Sequence, residues 1–385
     1  MSRLLMPSAW HPFDPQPRAI YETLHNQGGW HWSELLQSWI VSRFGLAARV
    51  LKDYSTFASD PRRAGDPVPD AALNLQLLDP PTFNSLHRVI VGLLRPPPTL
   101  SGLGVPGQFL ADRFRKIGPG GRFDGVHDLS IPLAVAFMNE TLGIASFDHS
   151  SMPEIANRII NGMDSAFLPE YEGPARSARR TLSDLVSAWI EQSAARSPLR
   201  LASEAAHRDG VNTQTFANSL RAIVLSAYTS LPSALSAILL EGATGRASYS
   251  SWVQGGLAAA GTEEILRLHP PFQATTRYVT SDTAVAGQDL RRGEPVTVLI
   301  KAANLDPSRF ADPYELDVAR DAGRSLSFGY GVHACAGGIL AFQLCELLMQ
   351  HLARHDITLR LAGTPTRGEH ATVQSFSLLP LRADF

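Results

Sequence analysis

The sequence predicts a large, mainly helical fold with small β-sheets. Apolar residues recur at helical spacing along most of the 385-residue chain, whereas runs of β-branched and aromatic residues are short and scattered. Neither an internal repeat nor a low-complexity linker divides the chain. We therefore expect a single large domain that spans residues 1–385.

The helical prediction comes from apolar residues that return every three or four positions. The segments with this pattern are 18–27, 44–53, 83–94, 129–142, 176–195, 213–240, 252–268 and 338–355. Strands are predicted at 39–41, 276–279, 295–300 and 357–361. The glycine-rich segments do not follow a strand and open a helix in the G-x-G-x-x-G manner, so a dinucleotide-binding fold has no support.

Composition excludes several classes of protein. A formal net charge of -2 gives no general attraction to nucleic acid or to an anionic membrane. Cys335 and Cys345 are the only cysteines, so the sequence contains neither a disulfide framework nor a Cys-x-x-Cys metal motif. Residues 1–24 contain four prolines and no signal-peptide core. We expect a soluble, cytoplasmic protein that binds neither nucleic acid nor membrane.

The most informative segment is residues 328–338, which read F-G-Y-G-V-H-A-C-A-G-G. Its glycines permit backbone angles that other residues avoid, and a predicted helix follows Cys335 at once. Free amide groups at a helix N-terminus favour a thiolate over a thiol. Taken alone, Cys335 is either an inert buried residue, a nucleophile paired with His333, or a metal ligand. Cys345 has no such surroundings and is predicted to pack in the core.

The complete string resembles the haem-binding loop of the cytochrome P-450 family, F-G-x-G-x-H-x-C-x-G, with every fixed position present. The resemblance implies a cytochrome P-450 fold and a haem b cofactor, iron protoporphyrin IX. Cys335 would be the axial ligand of the iron. Phe328, Gly329 and Gly337 would shape the loop against the haem, and His333 would anchor a propionate.

Other segments extend the resemblance. Glu264 and Arg267 share one helix face, an arrangement that taken alone is usually a surface ion pair. The family buries this pair together with a later arginine, which here would be Arg320. Arg277 falls where the family binds a haem propionate, and His87 stands where the family's haem-edge helix carries an arginine. We expect Arg277 and His87 to bind propionates, with the adjacent Arg88 as the alternative to His87.

The long helix departs from the family pattern A-G-x-(D/E)-T-T at residues 226–231. Thr229 replaces the acid and Ser230 replaces the threonine of the pair that relays protons to dioxygen. Both residues are predicted to line the oxygen site. A hydroxyl at Ser230 retains the ability to orient water, whereas Thr229 cannot act as a carboxylate relay. Pro232, inside this helix, predicts a kink.

Substrate contacts are inferred from family position, because a haem pocket needs a mostly apolar lining. The candidates are Leu77, Leu168, Ala227, Phe272 and Phe376.

The leading functional expectation is monooxygenase-type oxidative tailoring of a small organic molecule, such as a secondary metabolite. Electrons would come from a ferredoxin and its reductase. A second hypothesis keeps the haem-thiolate but bypasses dioxygen activation, through peroxide use, rearrangement, dehydration or nitrogen-group transfer. A third hypothesis is a non-catalytic haem protein that helps another enzyme.

Overall fold

Helices make up most of the fold, which a computed structural model describes over residues 17–95, 104–144, 151–320 and 323–385. The described helices are α1 (Arg18–Asn26), α2 (Phe44–Lys52), α3 (Thr82–Leu93), α4 (Val105–Ile117), α5 (Ile131–Leu142), α6 (Met152–Met163), α7 (Glu172–Gln192), α8 (Pro198–Arg208), α9 (Thr213–Ala243), α10 (Tyr249–Gln254), α11 (Ala258–Leu268), α12 (Ile300–Asn304) and α13 (Gly338–Arg354).

The predicted fold class is confirmed, and most predicted helices end within a few residues of the observed ones. The segment predicted at 252–268 is two helices, α10 and α11, because Gly255 ends the first and Gly256 takes a positive φ of 70°. Pattern analysis missed α4, α6 and α8. Each of them has a proline in its first turn, where proline is tolerated but masks a helical pattern.

The strands are short and form small sheets. They are β1 (Trp30–Ser33), β2 (Ser38–Val41), β3 (Phe57–Ala58), β4 (Gly121–Asp124), β5 (Ala274–Val279), β6 (Thr283–Val285), β7 (Gln288–Leu290), β8 (Pro295–Leu299), β9 (Thr358–Leu361), β10 (Thr366–Arg367), β11 (Phe376–Leu378) and β12 (Pro380–Asp384). The largest sheet has the order β1-β2-β8-β5-β3, with β2 and β8 parallel. A second sheet places β12 between β4 and β9.

The long helix α9 is the centre of the helical part of the fold. Asn212 caps its first turn by accepting a hydrogen bond from the backbone N–H of Thr215 (3.1 Å). By length and composition α9 passes for a membrane span, but 72% of its most apolar window is buried in the protein, as in a core helix. It runs through Pro232 without interruption, although proline has no backbone N–H to donate to the carbonyl four residues earlier.

Candidate active site

The cysteine loop, residues 328–337, is a tight turn that ends where α13 begins. The backbone N–H of Cys335 donates to the carbonyl of Phe328 at 2.8 Å and closes the turn. Gly331 has a φ of 77°, and a Cβ there would lie 2.9 Å from the backbone oxygen of Leu51. Both the backbone angle and the lack of space therefore require glycine at this position.

One cavity of about 580 Å³ opens on this loop. Its walls come from α3, α5, α9, the start of β5 and the 3-10 turn Leu75–Leu77. All the residues predicted to bind the cofactor line it: Cys335, His333, Arg277, His87, Phe328, Gly329 and Gly337.

Cys335 lies deep in the protein but exposes surface, because it lines this cavity. Burial raises the pKa of its thiol above the ordinary value, and the backbone N–H of Gly337 opposes this shift only in part. With protein groups alone the thiol form is therefore favoured, contrary to the expectation from the helix N-terminus. A bound cation supplies the charge that a thiolate needs.

Arg277 is a buried cation on the cavity wall. Only 8% of the residue is exposed, and its guanidinium donates to the Thr275 hydroxyl (3.1 Å) and the Thr276 carbonyl (2.9 Å). Within the described parts of the chain, no carboxylate lies within 4.0 Å of it, and burial lowers its pKa, opposed by the more distant Asp79. A buried guanidinium without an anionic partner fits a cavity that receives a carboxylate from its ligand.

Two histidines stand beside Phe83 at the same cavity. The ring of His87 stacks on Phe83 with centroids 4.7 Å apart, and the ring of His333 meets Phe83 edge-on at 4.8 Å. Burial lowers the pKa of His87, with a smaller effect from nearby His333, so His87 is held neutral. Arg88, the other candidate on this turn, points instead to Asp209 (3.2 Å).

His333 has a partner that sequence reasoning did not assign. Its Nε2 lies 2.8 Å from a carboxylate oxygen of buried Asp79, which also accepts from Arg63 (3.0 Å). Only Nδ1 of His333 is left for another ligand. Asp79 opens the Asp-Pro-Pro segment before α3, and no local pattern in the sequence indicates that it contacts His333.

A thiol, a guanidinium and two imidazoles thus meet at one mainly apolar cavity. The thiol is a ligand for iron, and the guanidinium suits a carboxylate. This set of donors fits a haem with its two propionates.

Behind the loop, Glu264, Arg267 and Arg320 form a buried charge cluster. Glu264 and Arg267 make two hydrogen bonds of 2.7 Å, and Nε of Arg320 reaches Glu264 at 3.0 Å. Arg267 is 1% exposed and also donates to the backbone carbonyls of Asn304 and Pro313. These bonds lower the pKa of Glu264 against the opposing effect of burial. The cluster ties α11 to the segment that precedes the cysteine loop.

One face of α9 forms a wall of the cavity. Of the two predicted residues Thr229 and Ser230, only Ser230 lies on that face. Ser230 lines the cavity, as does Ser226 one turn earlier. Thr229, also predicted to line the oxygen site, does not line the cavity: it is 7% exposed, and its hydroxyl donates to the carbonyls of Leu225 and Ser226. Adjacent helical residues differ by about 100°, so Thr229 falls outside the face that carries Ser230.

Three of the five substrate candidates line the cavity, namely Leu77, Ala227 and Phe272. Leu168 does not, because it lies at the turn after α6, where its backbone N–H bonds to Asp164. Phe376 does not either, since it is buried in β11 with the guanidinium of Arg367 5.4 Å from its ring centre. For both residues, family position gave the segment but not the direction of the side chain.

Sequence reasoning missed other lining residues. They are Phe137, Met138, Thr141 and Leu142 on α5. On α5 the apolar pattern continues around most of the helix, so no feature of the sequence separates the cavity face from the core face.

Comparison with known proteins agrees with this geometry. The family model for cytochrome P-450 matches residues 257–360, the region that holds the charge cluster and the cysteine loop. The chain is 28% identical to erythromycin C-12 hydroxylase of Saccharopolyspora erythraea, over 80% of each protein. It is 27% identical to the cytochrome P-450 monooxygenase PikC of Streptomyces venezuelae, over 96% of this chain and 92% of that protein.

Solved structures show the same fold. The crystal structure of CalO2 matches with a TM-score of 0.79 at 23% identity, covering 98% of this chain and 99% of that one. A mutant of P-450 EryK in complex with erythromycin B matches with a TM-score of 0.81 at 23% identity, covering 95% and 96%. This chain is an enzyme of the cytochrome P-450 family, a haem-thiolate oxidoreductase.

Proposed function

We propose that this enzyme carries out monooxygenase-type tailoring of a small organic molecule, such as a secondary metabolite, in the cytoplasm. The observation that carries the proposal is the arrangement of Cys335, Arg277, His87 and His333 around one mainly apolar cavity. Similarity to erythromycin C-12 hydroxylase and to PikC supports a tailoring reaction.

In this proposal Cys335 holds the iron of haem b, and Arg277, His87 and His333 hold the propionates. Phe328, Gly329 and Gly337 let the cysteine loop approach the flat macrocycle closely. When bound through a thiolate, haem iron supplies one-electron and oxygen chemistry that no amino-acid side chain can supply.

Among the chain's own groups, Ser230 would orient water beside the substrate. Its hydroxyl lines the cavity and makes no hydrogen bond within the described residues, so it is free to bind water or substrate. The hydroxyl of Thr229 is already bonded to its own helix. We propose a ferredoxin and its reductase as the electron donors, as is usual for soluble relatives.

A second function is favoured by one specific observation. None of the described residues that line the cavity is a carboxylic acid, so an acid to relay protons to dioxygen is missing there. This favours a haem-thiolate enzyme that uses peroxide, or that rearranges, dehydrates or transfers a nitrogen group on an already activated substrate.

Cysteine substitution tests the shared basis of both functions. The reduced, carbon monoxide-treated protein should show the red-shifted Soret band of thiolate haem, and Cys335→Ser should abolish it. The matched control is Cys345→Ser, because that thiol is fully buried in α13 and burial raises its pKa to about 12. A band that survives in Cys335→Ser would refute the assignment.

The source of oxidising equivalents separates the two functions. Turnover that requires ferredoxin, its reductase and dioxygen supports monooxygenation. Equal turnover with peroxide alone, or with no oxidant, supports the second function and contradicts the first.

A further inference from the structure

The cavity wall carries polar side chains whose hydrogen-bonding groups are unused. The hydroxyls of Ser226 and Ser230 and the side-chain amide of Gln76 line the cavity, and the structure gives them no hydrogen-bond partner in the described residues. Ser219, which also lines the cavity, differs because its hydroxyl has two partners. It donates to the Thr215 carbonyl (2.6 Å) and accepts from the backbone N–H of Leu75 (2.9 Å).

The charged groups of this cavity have a single sign. Of the described lining residues, Arg277 is a cation, His87 and His333 are the two histidines, and none is Asp or Glu. The buried carboxylate of Asp79 lies behind His333 and contacts it. It accepts hydrogen bonds from His333, from Arg63 and from two backbone N–H groups. It therefore has little capacity left to balance a positive charge on a ligand.

We infer that the substrate is a neutral, mainly apolar molecule with one or two hydroxyl or carbonyl oxygens, and that the cavity rejects organic cations. The inference rests on the proposed function, because it takes this cavity as the substrate site. Gln76, Ser226 and Ser230 are its specificity-determining residues.

The physical reason is the cost of desolvation. An ammonium group that leaves water for an apolar cavity needs a carboxylate or several strong acceptors to replace its hydration. Hydroxyl and amide groups on the wall cannot replace it, and the guanidinium of Arg277 offers it no acceptor. A neutral oxygen loses much less on transfer, and the free hydroxyls of Ser226 and Ser230 can satisfy it.

Matched esters test the inference with haem-loaded protein. The probes are choline octanoate and choline benzoate, each paired with its neutral isostere, the 3,3-dimethylbutyl ester. A quaternary nitrogen cannot ligate iron, so the members of a pair differ only in charge. Calorimetry should give at least 30-fold tighter binding for the neutral member of at least one pair. Equal binding, tighter binding of the cation, or no binding of either neutral ester would overturn the inference.

A variant designed to weaken the preference for the neutral ester tests the inference further. Ser226→Asp places a carboxylate on the wall and should reduce the ratio between neutral and cationic ester at least tenfold. Ser226→Asn, of similar size and without charge, should leave the ratio unchanged. An unchanged ratio in a folded, haem-loaded Ser226→Asp protein contradicts the role of Ser226. The carbonyl spectrum of each protein is recorded separately, so that a failure of the haem-thiolate assignment is distinguished from a failure of the specificity inference.

Discussion

The cysteine side of the molecule and the α9 wall of the cavity are built under different constraints. On the cysteine side, a turn of glycines and a buried charge cluster allow few alternatives, and all the residues predicted to bind the cofactor line the cavity. On the α9 wall, only helical spacing and a mainly apolar face are required. The first region is therefore restricted by backbone geometry and buried charge, whereas side chains on the second can differ in chemistry without a change of fold.

The largest effect should come from breaking the charge cluster. Glu264→Gln leaves Arg267 and Arg320 buried without their carboxylate, and the free energy of unfolding should fall by about 3–5 kcal/mol. Urea unfolding of the haem-loaded protein measures this loss.

The control for this prediction is an exposed pair. Glu154 and Arg158 lie four residues apart on α6 with at least half of each side chain in water. Glu154→Gln should change the free energy of unfolding by less than about 0.5 kcal/mol. Similar losses of unfolding free energy in the two variants would show that the buried cluster stabilises the protein no more than an exposed ion pair does.

The next effect concerns the glycines of the cysteine loop. Gly331→Ala must place a Cβ against the backbone of Leu51 and Lys52 at a φ of 77°, and should cost about 2–3 kcal/mol. At Gly337 the backbone φ is −93° and the first contact of a Cβ is 3.8 Å away, so Gly337→Ala should cost less than about 1 kcal/mol. The melting temperature measures both losses of stability. A more stable Gly331→Ala protein would contradict the packing argument.

On the α9 wall the effect should appear in rate rather than in stability. Ser230→Ala should slow product formation about tenfold, because the hydroxyl that orients water is lost. Thr229→Ala should change the rate less than about twofold, since that hydroxyl is bonded to carbonyls of its own helix. Single-turnover kinetics with the native substrate measures both. Equal losses would mean that Thr229 also acts in the reaction.

The smallest effect is a pH dependence on the cysteine side. His351 of α13 stacks on Phe114, and burial, with help from His355 and Arg354, lowers its pKa to about 4. The unfolded chain binds this proton near pH 6.5 and the folded protein only near pH 4, so stability falls as the pH drops through that window.

The variant His351→Phe keeps an aromatic ring at this position and removes the group that binds the proton. From pH 6.5 to pH 4 the free energy of unfolding should drop less in this variant than in the native protein. The difference between the two drops should be about 1–2 kcal/mol. The exposed His207→Gln provides the comparison and should follow the native curve. Identical curves for all three proteins would exclude His351 as the source of this pH dependence.

The fold was largely predictable from the sequence, because periodicity locates helices wherever one face is buried. The boundaries of α2 and α13 differ from the prediction by a single residue. Strands of two or three residues such as β3 and β10 escaped detection, since so short a segment shows no alternation and depends on its pairing partner.

The site was predictable where a motif fixes the backbone, and less so where only a position was known. Cys335 and Arg277 meet at the cavity as the resemblance implied. The bond between His333 and Asp79 joins residues 254 apart in the chain, and no local pattern encodes it. Thr229 was misplaced because a family alignment gives the turn of a helix but not which of two adjacent side chains faces inward.

The position of β12 between β4 and β9 has a consequence for biosynthesis. The backbone N–H of Leu379 reaches the carboxylate of Asp124 across 255 residues, and both neighbours of β12 depend on it for their pairing. On a ribosome, β4 must wait for its partner until nearly all the helices have been made. Assembly of this sheet is therefore a late event in folding, and its edges are exposed to wrong pairing until then.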